Sequence, residues 1–329
     1  MWARRLLSLF VILALGAGAA FYWWQAEIAR PGPLEAERNV VMPRGTGVAA
    51  MAQRLEAAGI VRDQHLFLAA AWWLGHDRDL KAGEYAVRAQ ISLQDLVGLL
   101  HSGKTVIRRV TVAEGLSSRQ IAAILNATEG LEGKVPADLR EGELLPETYH
   151  FALGDDRAKL VGRMRAAMAE TLEKLWRERA DGLPFKTPAE AVALASIVEK
   201  ETGKADERPR VAGVFLNRLK RGMKLQSDPT VIYALAQGGE LGRSLSRADL
   251  RTASPYNTYA VEGLPPGPIA NPGRASLEAV LRPMATEDLY FVADGSGGHA
   301  FGKTLDEHNR NVARWRRFMR ERGQPEAED

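Results

Sequence analysis

Cysteine is absent from all 329 residues. That excludes disulfides, thiolate metal sites, a cysteine nucleophile and a lipidated N-terminal cysteine. A strong charge of one sign is missing too. The 44 Lys and Arg face 41 Asp and Glu, leaving a formal net charge of +3. So mild a basic excess is no footprint for nucleic acid. What remains, 46% hydrophobic and 26% charged, is ordinary globular composition, and the length suits about two domains.

One long apolar run stands at the N-terminus. Arg4 and Arg5 precede Leu6 to Trp24, interrupted only by Ser8, Gly16 and Gly18. As a helix this run spans roughly 28 Å, close to a bilayer core. Tyr22, Trp23 and Trp24 read as an interfacial aromatic belt, and arginine on the near side predicts an N-terminus inside the cell. The competing reading is a signal peptide cleaved near Ala17-Gly18-Ala19. In either case the bulk of the chain is exported. The preferred expectation is a single-pass anchor in the inner (plasma) membrane, with residues 1–5 cytoplasmic, 6–24 transmembrane and 25–38 a linker.

Small β-α units follow. Val40-Val41-Met42 reads as a strand, Pro43 to Gly47 as a turn and Val48 to Ala58 as an amphipathic helix. Helices are expected at about Gln64 to Leu74 and Ser92 to Leu100, with a strand ending at Val87. Arg109 to Val112, the Ala113-Glu114-Gly115 turn and Ser117 to Leu125 echo the first unit, Gly45 aligning with Gly115 and Leu55 with Leu125. Such units resemble LysM modules, which lie against glycan chains. A plain α+β spacer is the alternative for residues 39–105.

The most distinctive stretch is Thr187 to Thr202. Thr187 is a good N-cap, Pro188 suits the first helical position and Glu190 completes a capping box. From Ala191 to Val198 only Ser196 is polar, so the helix is expected to be buried. Glu199 then shares a face with Val192, Ala195 and Ser196, while Glu201 lies about half a turn away. A partly buried carboxyl at a helix C-terminus has its pKa raised by desolvation and by the macrodipole, as a general acid requires. Glu199 is therefore expected to be the catalytic carboxyl. Glu201 is expected in solvent, paired with Lys200 or Lys204. A solvated charge cluster is the bland alternative.

Polar density rises further on. Gln226-Ser227-Asp228-Pro229-Thr230 opens a helix reaching about Ala236, with Asp228 before proline a natural cap. Ser254 to Tyr259 alternates aromatic rings with amides and hydroxyls, the pattern of a sugar groove or of a rigid surface loop. Ala158 to Ala180 and Glu207 to Lys220 read as helices with apolar core stripes. Leu289 to Phe301 reads as a hairpin, on which His299 is expected to be structural. Asn309 to Arg322 reads as a basic helix with a solvated face.

Glu141 to Tyr149, Leu194 to Thr202, Val214 to Arg218, Leu225 to Tyr233, Leu245 to Leu250, Tyr256 to Ile269, Leu289 to Gly298 and His308-Asn309 together resemble the YceG-like family of membrane-anchored endolytic murein transglycosylases. The resemblance implies an α+β architecture, with a LysM-like domain at 39–105, a catalytic domain at 106–323 and a tail at 324–329. It maps the catalytic glutamate onto Glu199. Asn217, Gln226, Ser227, Asp228, Tyr256, Asn257, Thr258 and Tyr259 would hold the glycan. It further implies a lyase cutting the N-acetylmuramic acid–N-acetylglucosamine bond of peptidoglycan without water, metal or cofactor, leaving anhydromuramyl ends. Leu144, Leu145 and Glu147 depart from the usual family residues, which leaves Glu147 without a role. Two alternatives stand. One is a non-catalytic glycan-binding anchor that positions peptidoglycan synthases. The other is a glycosidase using Glu199 and Asp228.

Overall fold

The computed structural model describes residues 2–322, so Met1 and the expected tail at 324–329 lie outside the described residues. The chain divides into two compact units. One runs to Arg108 and takes in Phe151–Gly154; the other comprises Arg109–His150 and the chain from Asp155 onward. The class is mixed α+β, helix-rich, and among the described residues the strands pair in two-stranded ribbons.

In the first unit, helix α1 covers Trp2–Ala29 and strand β1 Arg38–Met42. Helices α2 and α3 cover Val48–Ala57 and Gln64–Trp73, strand β2 Gly83–Val87 and helix α4 Leu93–Ser102. From Arg4 to Ala29, α1 is long and apolar enough to cross a membrane. It continues past Trp24 because Gln25 to Ala29 are good helix formers, and it stops just ahead of Pro31. Part of the expected linker is thus helical, and Ile28 is 1% exposed in the unit's core. Strands β1 and β2 pair antiparallel with Val40 opposite Tyr85. Met42, Leu55, Phe67, Tyr85, Leu96 and Leu100 fill the core beneath them.

The second unit is built around one buried helix. Strand β3 covers Arg108–Thr111, helix α5 Ser118–Ala127, strands β4, β5 and β6 Leu131–Glu132, Thr148–Phe151 and Asp155–Asp156, and helix α6 Arg157–Arg177. Helix α7 spans Pro188–Glu201, α8 Arg208–Lys220, α9 Asp228–Ala236 and α10 Arg274–Leu281. Strands β7 (Tyr290–Ala293) and β8 (His299–Gly302) form an antiparallel hairpin before helix α11, Leu305–Glu321. α7 begins at the expected capping box, and every residue from Ala191 to Val198 is buried. It packs against α6, α8, α9 and α10. Of these, α10 had no sequence expectation. The repeat between the two early units is visible in the backbone. Gly45 and Gly115 both take left-handed turns, at φ 78° and 75°, and Leu55 and Leu125 are both fully buried.

Candidate active site

The two carboxylates at the end of α7 have different surroundings. Glu199 is a junction between helices. One of its oxygens accepts from the Arg208 guanidinium at 3.2 Å, at the start of α8. The other accepts from the Gly273 amide at 2.8 Å, the N-cap of α10. Its side chain is 4% exposed, and that of Arg208 12%. On the face shared with Glu199, the small side chains pack inside the unit. Ala195 and Ser196 are fully buried, and the Ser196 hydroxyl accepts from the Ile269 amide at 3.0 Å. Glu114 lies near Glu199 and also meets Arg208 at 3.3 Å. Burial first, then the charge of Glu199, raises the Glu114 pKa.

Glu201 is not a solvated partner of lysine. Lys200 donates instead to the Gly115 carbonyl. The half-buried Glu201 carboxyl accepts from the hydroxyl of Ser227, itself 1% exposed. Burial pushes its pKa up to about 7. The Ser227 hydrogen bond opposes that rise, the charge of Asp228 adds to it, and Arg218 offsets part of it. A carboxyl half-protonated near neutrality can donate a proton and take one back.

Other residues expected at the site divide into two groups. Ser227, Asp228 and Tyr259 gather with Glu201. The Tyr259 hydroxyl donates to Asp228 at 2.7 Å, so the side chain of Asp228 is engaged across to the loop rather than in capping α9. Gln226 is exposed and holds a left-handed φ of 52°, unusual for a non-glycine residue. Tyr256 meets the Tyr233 ring, centroids 4.8 Å apart and planes tilted by 53°, and lines a cavity of about 750 Å³ with Glu141, Arg119 and Pro268. A second cavity, about 420 Å³, is lined by Lys200, Pro229 and Gln120, and Tyr233 borders both.

The remaining three are framework. Asn217 donates to the carbonyls of Thr286 and Asp288. Asn257, fully buried, donates to Leu250 and Thr252 and accepts from the Tyr259 amide. Thr258 is fully buried and bonds Ser227 and Thr230. Asn217 thus ties α8 to the segment before β7, and Asn257 and Thr258 brace their own loop against the start of α9. His299 pairs with Glu207 at 2.7 Å, and Glu147 is exposed.

Sequence reasoning passed over Arg218, Glu141 and Gly273. Arg218 is buried, gripping the carbonyls of Leu289 and Leu225 at 2.7 Å each. Glu141 accepts from the Ser118 amide at 2.8 Å, and burial raises its pKa despite that bond. Glu141 and Arg218 both fall in segments that carried the family resemblance. Gly273 gave no local signal.

Two buried or half-buried carboxyls close a buried helix, in an α+β unit on a chain with an apolar N-terminal helix, and together they define a candidate acid–base site and a candidate anchor. The chain belongs to the YceG-like family, whose model matches residues 40–314. It is 33% identical over 304 positions to the endolytic murein transglycosylase of Bacillus subtilis, covering 83% of each chain. It is 30% identical over 360 positions to the protein of that name in Streptococcus pneumoniae D39, covering 93% of this chain. It spans about 64% of that pneumococcal relative's length. The crystal structure of a YceG-like protein from Listeria monocytogenes superposes with a TM-score of 0.54 at 31% identity, covering 84% of this chain and 99% of that one.

Proposed function

We propose that this protein is a membrane-anchored lytic transglycosylase that cuts peptidoglycan glycan strands internally, with Glu201 as its acid and base. The observation that carries the reading is the Glu201 carboxyl at the end of α7, accepting from the buried Ser227 hydroxyl beside Asp228, where burial pushes its pKa up to about 7. Family membership and the relatives' shared name supply the substrate class. Glu201 gives its proton to the oxygen bridging N-acetylmuramic acid and N-acetylglucosamine, and the bond from the muramyl C1 to that oxygen breaks. The muramyl C6 hydroxyl oxygen attacks C1, and its proton passes to the Glu201 carboxylate. Atoms balance without water, and the product carries a 1,6-anhydromuramyl end. One carboxyl suffices, whereas a hydrolase of the common kind needs two flanking the bond.

Tyr256, Tyr233, Gln226 and the two cavities would seat the strand. In this reading α1 is the anchor, with Arg4 and Arg5 on the cytoplasmic side and the chain after α1 outside. The β-α-α-β order of the first unit supports a LysM-like glycan contact by residues 39–105. Termination of strand growth beside peptidoglycan synthases is the cellular role that fits an anchored endolytic enzyme.

The test is digestion of purified glycan strands with Glu201→Gln and Glu199→Gln, followed by mass spectrometry of the ends. Glu201→Gln should lose at least about 10²–10⁴-fold of the anhydromuramyl product, while folded Glu199→Gln retains turnover. Reducing ends in place of anhydro ends would make the enzyme a hydrolase. Near-normal turnover by Glu201→Gln would remove it from the mechanism.

A further inference from the structure

In the first unit, three potential ligands converge that neither the anchor nor the glycan reading uses. His76 follows the left-handed Gly75 that ends α3, its amide tied to the Ala71 carbonyl at 2.8 Å. Asp79 lies in the loop leading to β2. His101 is in the last turn of α4. The two imidazoles stack at 3.7 Å with 23° between their planes. Both turn Nδ1 toward the same carboxylate: His76 reaches Asp79 Oδ1 at 3.3 Å and His101 reaches Oδ2 at 2.9 Å. One ligand atom from each residue lies within 4.8 Å of the other two.

Both imidazoles face Asp79 across these short contacts. Both Nδ1 atoms are shielded from solvent, yet neither has a well-directed hydrogen bond among the described residues. A buried nitrogen without a partner normally costs free energy. Two such nitrogens converging on one carboxylate leave a gap suited to an electron-pair acceptor. Two neighbouring cations are committed elsewhere, since Arg78 pairs with Asp77 and Lys81 donates to the Ser102 carbonyl.

From this we infer that His76, Asp79 and His101 form a divalent-metal site that clips the α3–β2 loop to the end of α4. Two imidazoles and a carboxylate suit Zn2+, with a fourth tetrahedral position left for water or an external ligand. His76 also lines a cavity of about 610 Å³ together with Arg88, Gln94 and Asp95, which gives room beside the cluster.

The test uses the full chain, tag-free, in detergent and stripped with chelator. Zn2+ is titrated calorimetrically, and Co2+ is titrated by its visible absorption, which reports tetrahedral geometry. One equivalent should bind. His101→Gln and Asp79→Asn should each weaken binding by at least about tenfold. His65→Gln, an exposed histidine of the same unit, should bind as the wild type does, with circular dichroism confirming that all variants fold. Absence of saturable uptake would overturn the site, as would uptake unchanged in both ligand variants. Glycan cleavage is not the readout, so the result is independent of the role of Glu201.

Discussion

Replacing Glu199 and Glu201 in turn by glutamine should change stability in opposite directions, and pH separates the two. A carboxyl whose pKa rises on folding stabilises the folded state fully only below its unfolded pKa. That contribution is then lost as pH rises through the folded value. For Glu201 the two limits are 4.5 and about 7. At 1.36 kcal/mol per pH interval, the loss between pH 4 and pH 8 comes to about 3 kcal/mol. Glutamine cannot ionise, so Glu201→Gln should match the wild type at pH 4 and exceed its stability at pH 8 by about that amount. Taking the difference between the two proteins cancels the other buried carboxyls, such as Glu141, that titrate in the same sense. Glu199→Gln should do the reverse. An amide offers one acceptor oxygen where Arg208 and Gly273 both donate. Losing one partner of a buried ion pair costs about 3–5 kcal/mol. Because Arg208 keeps Glu114, about 2 kcal/mol is expected. Denaturant unfolding at both pH values is the assay. A wild-type to Glu201→Gln difference that stays constant from pH 4 to pH 8 would refute the reasoning.

Wild-type glycan cleavage should lose rate above about pH 7, where Glu201 ionises. In Ser227→Ala that alkaline limb should move up, since the hydroxyl favours the charged form. In Asp228→Asn it should move down, since a repelling charge is gone; pH–rate profiles read both.

Much of the fold was legible. The capping box at Thr187 and the amphipathic stripes of α2, α5 and α6 are local signals, and the helices start within a residue of where those signals put them. The site was only half legible. A helix buried on all sides gives periodicity nothing to rank, so the angular offset between Glu199 and Glu201 could not say which one meets a partner. That depended on Arg208, Gly273 and Ser227, which are 9, 74 and 26 residues away in the chain. Asn257 and Thr258 are ambiguous for a related reason. Short polar side chains that hold a loop together look the same in sequence as those that face a sugar. Helix α10 was missed because its eight residues follow Pro272-Gly273, which reads as a turn.

The passage of α1 into the first unit's core has a mechanical consequence. Ile28 is on the same unbroken helix as Leu6 to Trp24, so no swivel intervenes between the proposed spanning segment and the folded body it carries. The helix acts as an axle. Each residue added or removed between Trp24 and Ile28 would turn that body by about 100° and shift it by about 1.5 Å along the axis. Helical phase, rather than linker length, would then set which side of the unit is presented to the bilayer and which to the wall.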